Sequence, residues 1–147
     1  LLGFIESNNP NGIKQNVIDE DVRRGYIEYL GYTHDMAAVY ARKGIVVTLP
    51  SAYYEGLNRT LMEACATGKP IVTTDIPGCR ETVEEGINGF LCKPKDAQSL
   101  AAAIEKYIVL TAEDRQKMSA ASRKLAEEKF SQDKVIDVYE KIISELV

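Results

Sequence analysis

Short apolar runs alternate with segments of helical periodicity along this chain, and this alternation constrains its fold more than any other feature. Residues 44–49 (GIVVTL) form an almost uniformly apolar run, and residues 71–74 (IVTT) form another. Between them, residues 59–67 have a helical pattern that Gly68 ends and Pro70 follows. Uniformly apolar strands are typical of parallel sheets with helices on both faces. The sequence therefore predicts an α/β fold with a doubly wound parallel sheet.

The rest of the chain extends this pattern. We predict further strands at residues 1–5, 26–31 and 90–92, and helices at residues 35–43, 80–84, 97–109, 112–129 and 132–146. Asp35 and Asp96 stand where two of these helices need an N-cap. In doubly wound sheets, ligands bind where the carboxyl ends of strands meet helix N-termini. The junction after residue 49 is therefore the first candidate for a site.

Composition limits the possible classes of function. At 147 residues the chain has the size of one ordinary domain. Its net charge of −4 comes from interspersed signs, which excludes the basic surface that nucleic-acid binding needs. No apolar run approaches the ~20 residues of a membrane span. The start also lacks the basic front of a signal peptide, so we expect a cytoplasmic location.

Side chains that commonly bind metals are few and scattered. Cys65, Cys79 and Cys92 are too widely spaced for a zinc pattern and too few for a closed disulfide framework, so we expect free, buried thiols. His34 is the only histidine, and its place in a turn before a helix favours a surface or capping role. The sequence thus offers no metal site.

The stretch SAYYEGLNRTLME, residues 51–63, places two glutamates around a helix start. Asn58 is a favourable N-cap, so the helix should begin at Arg59 with its first amides unpaired. Unpaired amides at the positive end of a helix attract an anion, most naturally a phosphate. Gly56 lets the backbone approach such a ligand closely. Glu63 lies about 6 Å farther along the helix axis.

The two glutamates suggest sugars as the other part of the ligand. A carboxylate repels phosphate, so the natural partner of Glu63 is a neutral group rich in donors, such as sugar hydroxyls. Glu55, on the other side of the loop, can serve a second sugar. Taken alone, each glutamate is best explained as a solvated side chain or part of a turn. Together with the strand, the glycine and the helix start, they favour a nucleotide-sugar site.

Four motifs, in order, resemble those of the retaining GT-B glycosyltransferases, the glycosyl transferases group 1 that include bacterial polysaccharide and lipopolysaccharide enzymes. Residues 55–72 (EGLNRTLMEACATGKPIV) are similar to the Glu-x7-Glu signature of that family. Residues 29–32 (YLGY), 74–83 (TDIPGCRETV) and 86–91 (GINGFL) are similar to its flanking segments. The resemblance implies that residues 1–147 form the Rossmann-like, C-terminal donor-binding domain of a GT-B fold.

The resemblance also implies roles for individual residues. Glu55 would be the catalytic residue at the transferred sugar, and Glu63 would bind the ribose hydroxyls. Backbone amides of the intervening loop would hold the diphosphate, and these belong to Gly56, Leu57, Asn58 and Arg59. Asn58 departs from the proline or small residue that is common in the family at this place. As an N-cap it should still leave the neighbouring amides available.

The implied reaction transfers a glycosyl group from a nucleoside diphosphate sugar to a surface-polysaccharide or lipid-linked acceptor, with retention of configuration. A UDP-sugar is favoured, and no cofactor or metal is implied because protein donors stabilise the leaving diphosphate. We expect the N-terminal acceptor domain to be absent here, together with the first strand and helix of the donor domain. The chain alone should therefore be inactive. The full enzyme would reach a lipid-linked acceptor by peripheral membrane association.

Other functions stay open at this point. The fold can serve as a non-catalytic nucleotide-binding or assembly module, and nucleotide-sugar epimerases share the two-domain architecture. The Glu-x7-Glu spacing argues against an epimerase. A dinucleotide-dependent oxidoreductase is weaker still, because no G-x-G-x-x-G follows a predicted strand.

Overall fold

The computed structural model of the protein describes residues 1–5, 9, 12–54 and 56–146. The chain divides into two compact units, Leu1–Val39 and Tyr40–Val147. The described elements are, in chain order, α1 (Gln15–Arg23), α2 (Met36–Tyr40), β1 (Val47–Leu49), α3 (Arg59–Ala66), β2 (Ile71–Thr74), a 3-10 turn (Arg80–Thr82), β3 (Gly89–Cys92), α4 (Ala97–Ile108), α5 (Ala112–Lys129) and α6 (Gln132–Leu146).

In the first unit, two extended segments run side by side without forming regular strands. The Leu30 amide donates to the Leu1 carbonyl over 2.9 Å, and the Gly3 amide donates to the Gly31 carbonyl over 2.8 Å. The backbone leaves the extended conformation at both glycines, with φ of +142° at Gly3 and +65° at Gly31. The regular strands predicted at residues 1–5 and 26–31 are therefore wrong.

In the second unit, three strands form a parallel sheet in the order β1-β2-β3. Val47 lies opposite Ile71, and Ile71 lies opposite Gly89. All four residues of β2 are buried, as expected of a central strand covered on both faces. Parallel neighbours need crossover connections, and α3 makes the one between β1 and β2. The predicted α/β class with a parallel sheet is confirmed.

Helix α3 is held by its contact with α5. Leu61 and Cys65 of α3 are fully buried, and Leu125 of α5 is nearly so. Burial of Leu61 alone stabilises the fold by about 1.5–3 kcal/mol. Gly68 ends the helix with φ of +65°, and a Cβ at this position would stand 3.3 Å from the Ser119 carbonyl oxygen of α5. The position and the end of α3 are thus fixed by packing.

Most predicted helix boundaries agree with the structure, and two differ. Helices α3 to α6 begin at the predicted residues and end within one residue of the predicted ends. The helix predicted at residues 35–43 ends at Tyr40. The helix predicted at residues 80–84 is a single 3-10 turn, because Val83 adopts an extended conformation with φ of −129° and ψ of 127°.

The buried side chain of Asn88 closes the turn that leads into β3. It is 1% exposed. Its Oδ1 accepts from the Glu84 amide over 2.7 Å, and its Nδ2 donates to the Thr82 carbonyl over 3.0 Å. Its backbone carbonyl accepts from the Ile71 amide over 3.1 Å. One side chain and its peptide therefore join the loop after the 3-10 turn to the central strand.

Candidate donor-binding site

The loop between β1 and α3 is anchored where it leaves the sheet. The hydroxyl of Thr73 donates to the Leu49 carbonyl over 2.7 Å, and that of Thr74 donates to the Ser51 carbonyl over 2.6 Å. Both threonines are buried at the carboxyl end of β2. The loop thus starts at the carboxyl edge of a parallel sheet, where doubly wound folds bind ligands.

The far end of the loop is anchored by the N-cap of α3. The Leu61 amide donates to Asn58 Oδ1 over 3.2 Å, which confirms the predicted cap and the helix start at Arg59. The Asn58 amide donates to the Gly78 carbonyl over 3.0 Å. Residue 58 therefore joins the helix start to the segment that follows β2.

Backbone amides on both sides of Asn58 are available to a ligand. Within the described part of the chain, the amides of Leu57, Arg59 and Thr60 have no hydrogen-bond acceptor. Gly56 and Leu57 are exposed, and the space around Gly56 is open to a distance of 4 Å from a Cβ built there. Unpaired amides at a helix start favour an anion, and a phosphate fits this arrangement.

The carboxylate of Glu63 lies one turn beyond these amides. Its Oε1 accepts from Arg59 Nε over 2.8 Å. The two side chains are 39% and 88% exposed, respectively. Exposed pairs of this kind contribute at most about 1 kcal/mol, so a ligand hydroxyl can compete for the carboxylate. A groove of about 670 Å³ opens between this face of α3 and the last turns of α5.

Tyr40 supports the same turn of α3 from its other side. Its hydroxyl donates to the Thr60 carbonyl over 3.1 Å, and the ring is 4% exposed. Burial, and then the nearby charge of Glu63, raise the pKa of Tyr40 above its usual value. Tyr40 is therefore a neutral donor at physiological pH and holds the backbone next to Glu63.

The predicted catalytic residue, Glu55, lies outside the described residues, so its role stays a prediction. Its neighbours Tyr54 and Gly56 are both exposed. The other predicted site residues are present around the start of α3, as described above. The ribose role of Glu63 and the diphosphate role of the Gly56, Leu57 and Arg59 amides also stay predictions. The same role predicted for the Asn58 amide is not supported, because that amide donates to the Gly78 carbonyl.

Several residues that shape the site were not predicted from the sequence. Thr73, Thr74 and Tyr40 act through contacts with residues 20 or more positions away in the chain. Hydroxyl side chains at the carboxyl end of a buried strand are a weak signal for the two threonines. No local sequence pattern predicts this role for Tyr40. The residue ends its helix and lies four positions before the apolar run that contains β1, so it belongs to neither the predicted sheet nor the predicted site.

The described residues lack two further features. No group of three or more His, Cys, Asp or Glu side chains is placed there so that it could hold a metal ion. In the same part of the chain, no helix has both the length and the apolar character needed to cross a membrane.

Relatives of this chain include glycosyltransferases. Residues 18–125 match the family model described as glycosyl transferases group 1. The chain is 32% identical over 129 residues to the GtfA subunit of a UDP-N-acetylglucosamine–peptide N-acetylglucosaminyltransferase from Streptococcus agalactiae, covering 84% of this chain and 25% of that protein. It is 33% identical over 100 residues to a Mycobacterium tuberculosis glycogen synthase, covering 68% of this chain and 23% of the enzyme. The chain thus spans about a quarter of the length of these relatives.

Solved structures show the same fold. The Anabaena protein Alr3699/HepE in complex with UDP superimposes with a TM-score of 0.73 at 27% identity, covering 90% of this chain and 36% of that one. The pneumococcal O-GlcNAc transferase GtfA, in complex with UDP and GlcNAc, gives a TM-score of 0.69 at 28% identity, covering 89% and 26%. The Rossmann-like fold expected of a GT-B domain is confirmed. The family expected from the four motifs is confirmed as well: the chain belongs to the group 1 glycosyl transferases.

Proposed function

We propose that this chain binds a nucleoside diphosphate sugar, with a UDP-sugar favoured, as the donor domain of a retaining glycosyltransferase. The observation that carries the proposal is the start of α3. There, a capped helix presents unpaired amides next to the carboxyl edge of a parallel sheet, with the half-exposed carboxylate of Glu63 one turn farther on. Phosphate suits the amides, and hydroxyls suit the carboxylate.

Each part of the ligand has its own partners in this proposal. The backbone amides of Gly56, Leu57 and Arg59 hold the diphosphate, whereas the Asn58 amide donates to the Gly78 carbonyl and keeps the loop in place. Glu63 accepts hydrogen bonds from the ribose hydroxyls, and Glu55 lies at the transferred sugar. Complexes of similar proteins support the choice of base, because Alr3699/HepE has been solved with UDP and with UDP-glucose, and the pneumococcal GtfA with UDP and GlcNAc.

The chemistry breaks the bond between the anomeric carbon and the diphosphate oxygen, and forms a new bond from that carbon to the oxygen of an acceptor hydroxyl, whose proton is taken up by the leaving diphosphate. Negative charge develops on the leaving diphosphate as its bond breaks. Preorganised amides at the helix start stabilise that charge, because they already point at the place where it develops. The guanidinium of Arg59, which is 88% exposed, adds a mobile cation at the same end of α3.

The acceptor is proposed to bind outside the described residues. Since the relatives are about four times as long as the matched region, we propose that a separate acceptor domain completes the enzyme, and that the isolated chain does not catalyse transfer. A surface-polysaccharide or lipid-linked acceptor, reached by peripheral membrane association in the cytoplasm, is the proposed context.

Calorimetric titration with UDP, GDP and their sugar conjugates tests the donor site. We expect binding of one nucleotide, and about tenfold weaker binding after Glu63→Ala, because a hydroxyl loses its charged acceptor. The matched control is Glu128→Ala, which removes an exposed glutamate paired to Lys124 at the same helical spacing. Alanine favours helix in both variants, so α3 and α5 stay folded. Equal affinities of wild type and the Glu63→Ala variant would contradict the ribose role.

A further inference from the structure

A relay of hydrogen bonds connects the segment after β2 to the start of α3. The Gly78 amide donates to Glu81 Oε2 over 2.7 Å. The Gly78 carbonyl in turn accepts from the Asn58 amide over 3.0 Å. Asn58 Oδ1 then caps α3 through the Leu61 amide. The carboxylate of Glu81 is therefore two backbone contacts away from the amides of the proposed diphosphate site.

Gly78 is the flexible joint in this relay. It is buried and has φ of +89°, a backbone conformation that residues other than glycine rarely adopt. A glycine can rotate its two flanking peptides at little cost, so each peptide needs a partner to keep its orientation. The Cys79 amide donates to the Ile76 carbonyl over 3.1 Å and orients the following peptide. Glu81 orients the preceding one and so fixes the Gly78 Cα that both peptides share; the following peptide carries the carbonyl that accepts from Asn58.

The turn itself does not depend on Glu81. The Arg80 amide donates to the Ile76 carbonyl over 3.0 Å, and the hydroxyl of Thr82 donates to the Cys79 carbonyl over 2.7 Å. Removal of the Glu81 carboxylate leaves these bonds in place, together with the buried Thr82 side chain. What it removes is the acceptor for a buried amide, and a buried donor without an acceptor reorients to find one.

We propose that Glu81 is a positioning residue for the donor site: by holding Gly78, it fixes Asn58 and the ligand-binding amides of α3. This inference rests on the proposed function. A direct contact of Glu81 with the diphosphate is disfavoured, because two anionic groups repel each other and the carboxylate already accepts from a backbone amide. The effect of Glu81 is thus transmitted through Gly78.

Three variants test this role in the complete chain. Glu81→Ala removes the acceptor, and Glu81→Gln keeps an acceptor oxygen without the charge. Glu85→Ala is the matched control, since Glu85 Oε2 also accepts from a backbone amide, that of Leu91, over 2.7 Å. The measurements are the dissociation constant for UDP, the thermal midpoint, and the hydrogen-exchange rate of the Asn58 amide without nucleotide.

We expect Glu81→Ala to weaken UDP binding about fivefold to tenfold and to speed exchange of the Asn58 amide at least tenfold. Glu81→Gln should restore both values to within about twofold of wild type. Glu85→Ala should lower the thermal midpoint to a similar extent as Glu81→Ala. It should change neither the UDP affinity nor the exchange rate of the Asn58 amide. Unchanged UDP affinity in the Glu81→Ala variant would overturn the positioning role and leave the donor site intact.

The exchange measurement separates this inference from the function on which it rests. If wild type does not bind UDP or any other nucleotide, the proposed function fails. Slow Asn58 exchange that depends on Glu81 would still show that the relay holds the start of α3. If the Asn58 amide exchanges at the same rate in wild type and the Glu81→Ala variant, the relay is refuted, whether or not the wild type binds a nucleotide.

Discussion

Replacement of Asn58 by aspartate should separate helix stability from ligand binding. Asp and Asn are equally good N-caps, and the carboxylate keeps an oxygen for the Leu61 amide, which lies 3.2 Å from the present Oδ1. The added negative charge also interacts favourably with the positive end of α3, by about 0.3–1 kcal/mol. The N58D variant should therefore keep the capped start of α3 and remain folded.

The same charge should weaken binding of a diphosphate. A phosphate held by the amides of Leu57 and Arg59 would lie on the order of 6 Å from the new carboxylate. Coulomb repulsion at that distance is about 0.7 kcal/mol per charge pair in water and about 3 kcal/mol at an effective dielectric constant of about 20. The loop is exposed, so we expect a value near 1.4 kcal/mol, which is about a tenfold loss of affinity.

The assay combines thermal unfolding with UDP titration at low and high salt. Salt screens the repulsion, so the loss of affinity should shrink at about 1 M salt, where the screening length is about 3 Å. Asn58→Ser is the neutral control, because serine caps as well as asparagine and adds no charge. If the N58D variant is folded and binds UDP as tightly as wild type at low salt, the ligand phosphate does not lie at the start of α3.

Two further predictions concern the fold. Gly89→Ala should destabilise the protein by about 3 kcal/mol in chemical unfolding, because its Cβ would stand 2.1 Å from the Ile71 carbonyl oxygen of the neighbouring strand. The control is Gly56→Ala, which should leave stability unchanged because the space around Gly56 is open. Burial raises the pKa of the Cys65 thiol from 9.0 to about 12. The buried, neutral thiol therefore contributes fully to the stability of the folded protein below pH 9, and this contribution is lost as pH rises toward 12. Cys65→Ala should flatten that alkaline decrease in stability, and an unchanged slope would contradict it.

Local signals in the sequence account for the parts of the fold that were predicted. The starts of α2, α3 and α4 follow from Asp35, Asn58 and Asp96, whose side chains accept from amides three residues later in the chain. The sheet follows from apolar runs that only a buried parallel strand explains. These elements depend on residues that are close in sequence, so the sequence is sufficient to place them.

The errors arise where the outcome depends on distant partners. The residues at 1–5 and 26–31 have strand composition, yet Gly3 and Gly31 adopt positive φ and interrupt the ladder. Strand β1 begins at Val47 rather than residue 44, because its partner strand begins at Ile71 and pairing starts there. In the site, the role of Tyr40 depends on its hydrogen bond to Thr60, and that of Glu81 depends on the contact between Gly78 and Asn58. No period or cap in the sequence carries that information.

The fixed side chain of Asn88 also has a chemical consequence. Asn88 and Gly89 form an Asn-Gly pair, and in a flexible chain the glycine nitrogen of such a pair attacks the asparagine side chain, which ends in deamidation. Here the Asn88 amide is held by Thr82 and Glu84, and Gly89 is pressed against Ile71, so the attack is blocked while the chain is folded. The product would place a carboxylate beside the Thr82 carbonyl and prevent refolding. The fraction of molecules with aspartate or isoaspartate at this position would therefore increase with the time that the protein has spent unfolded.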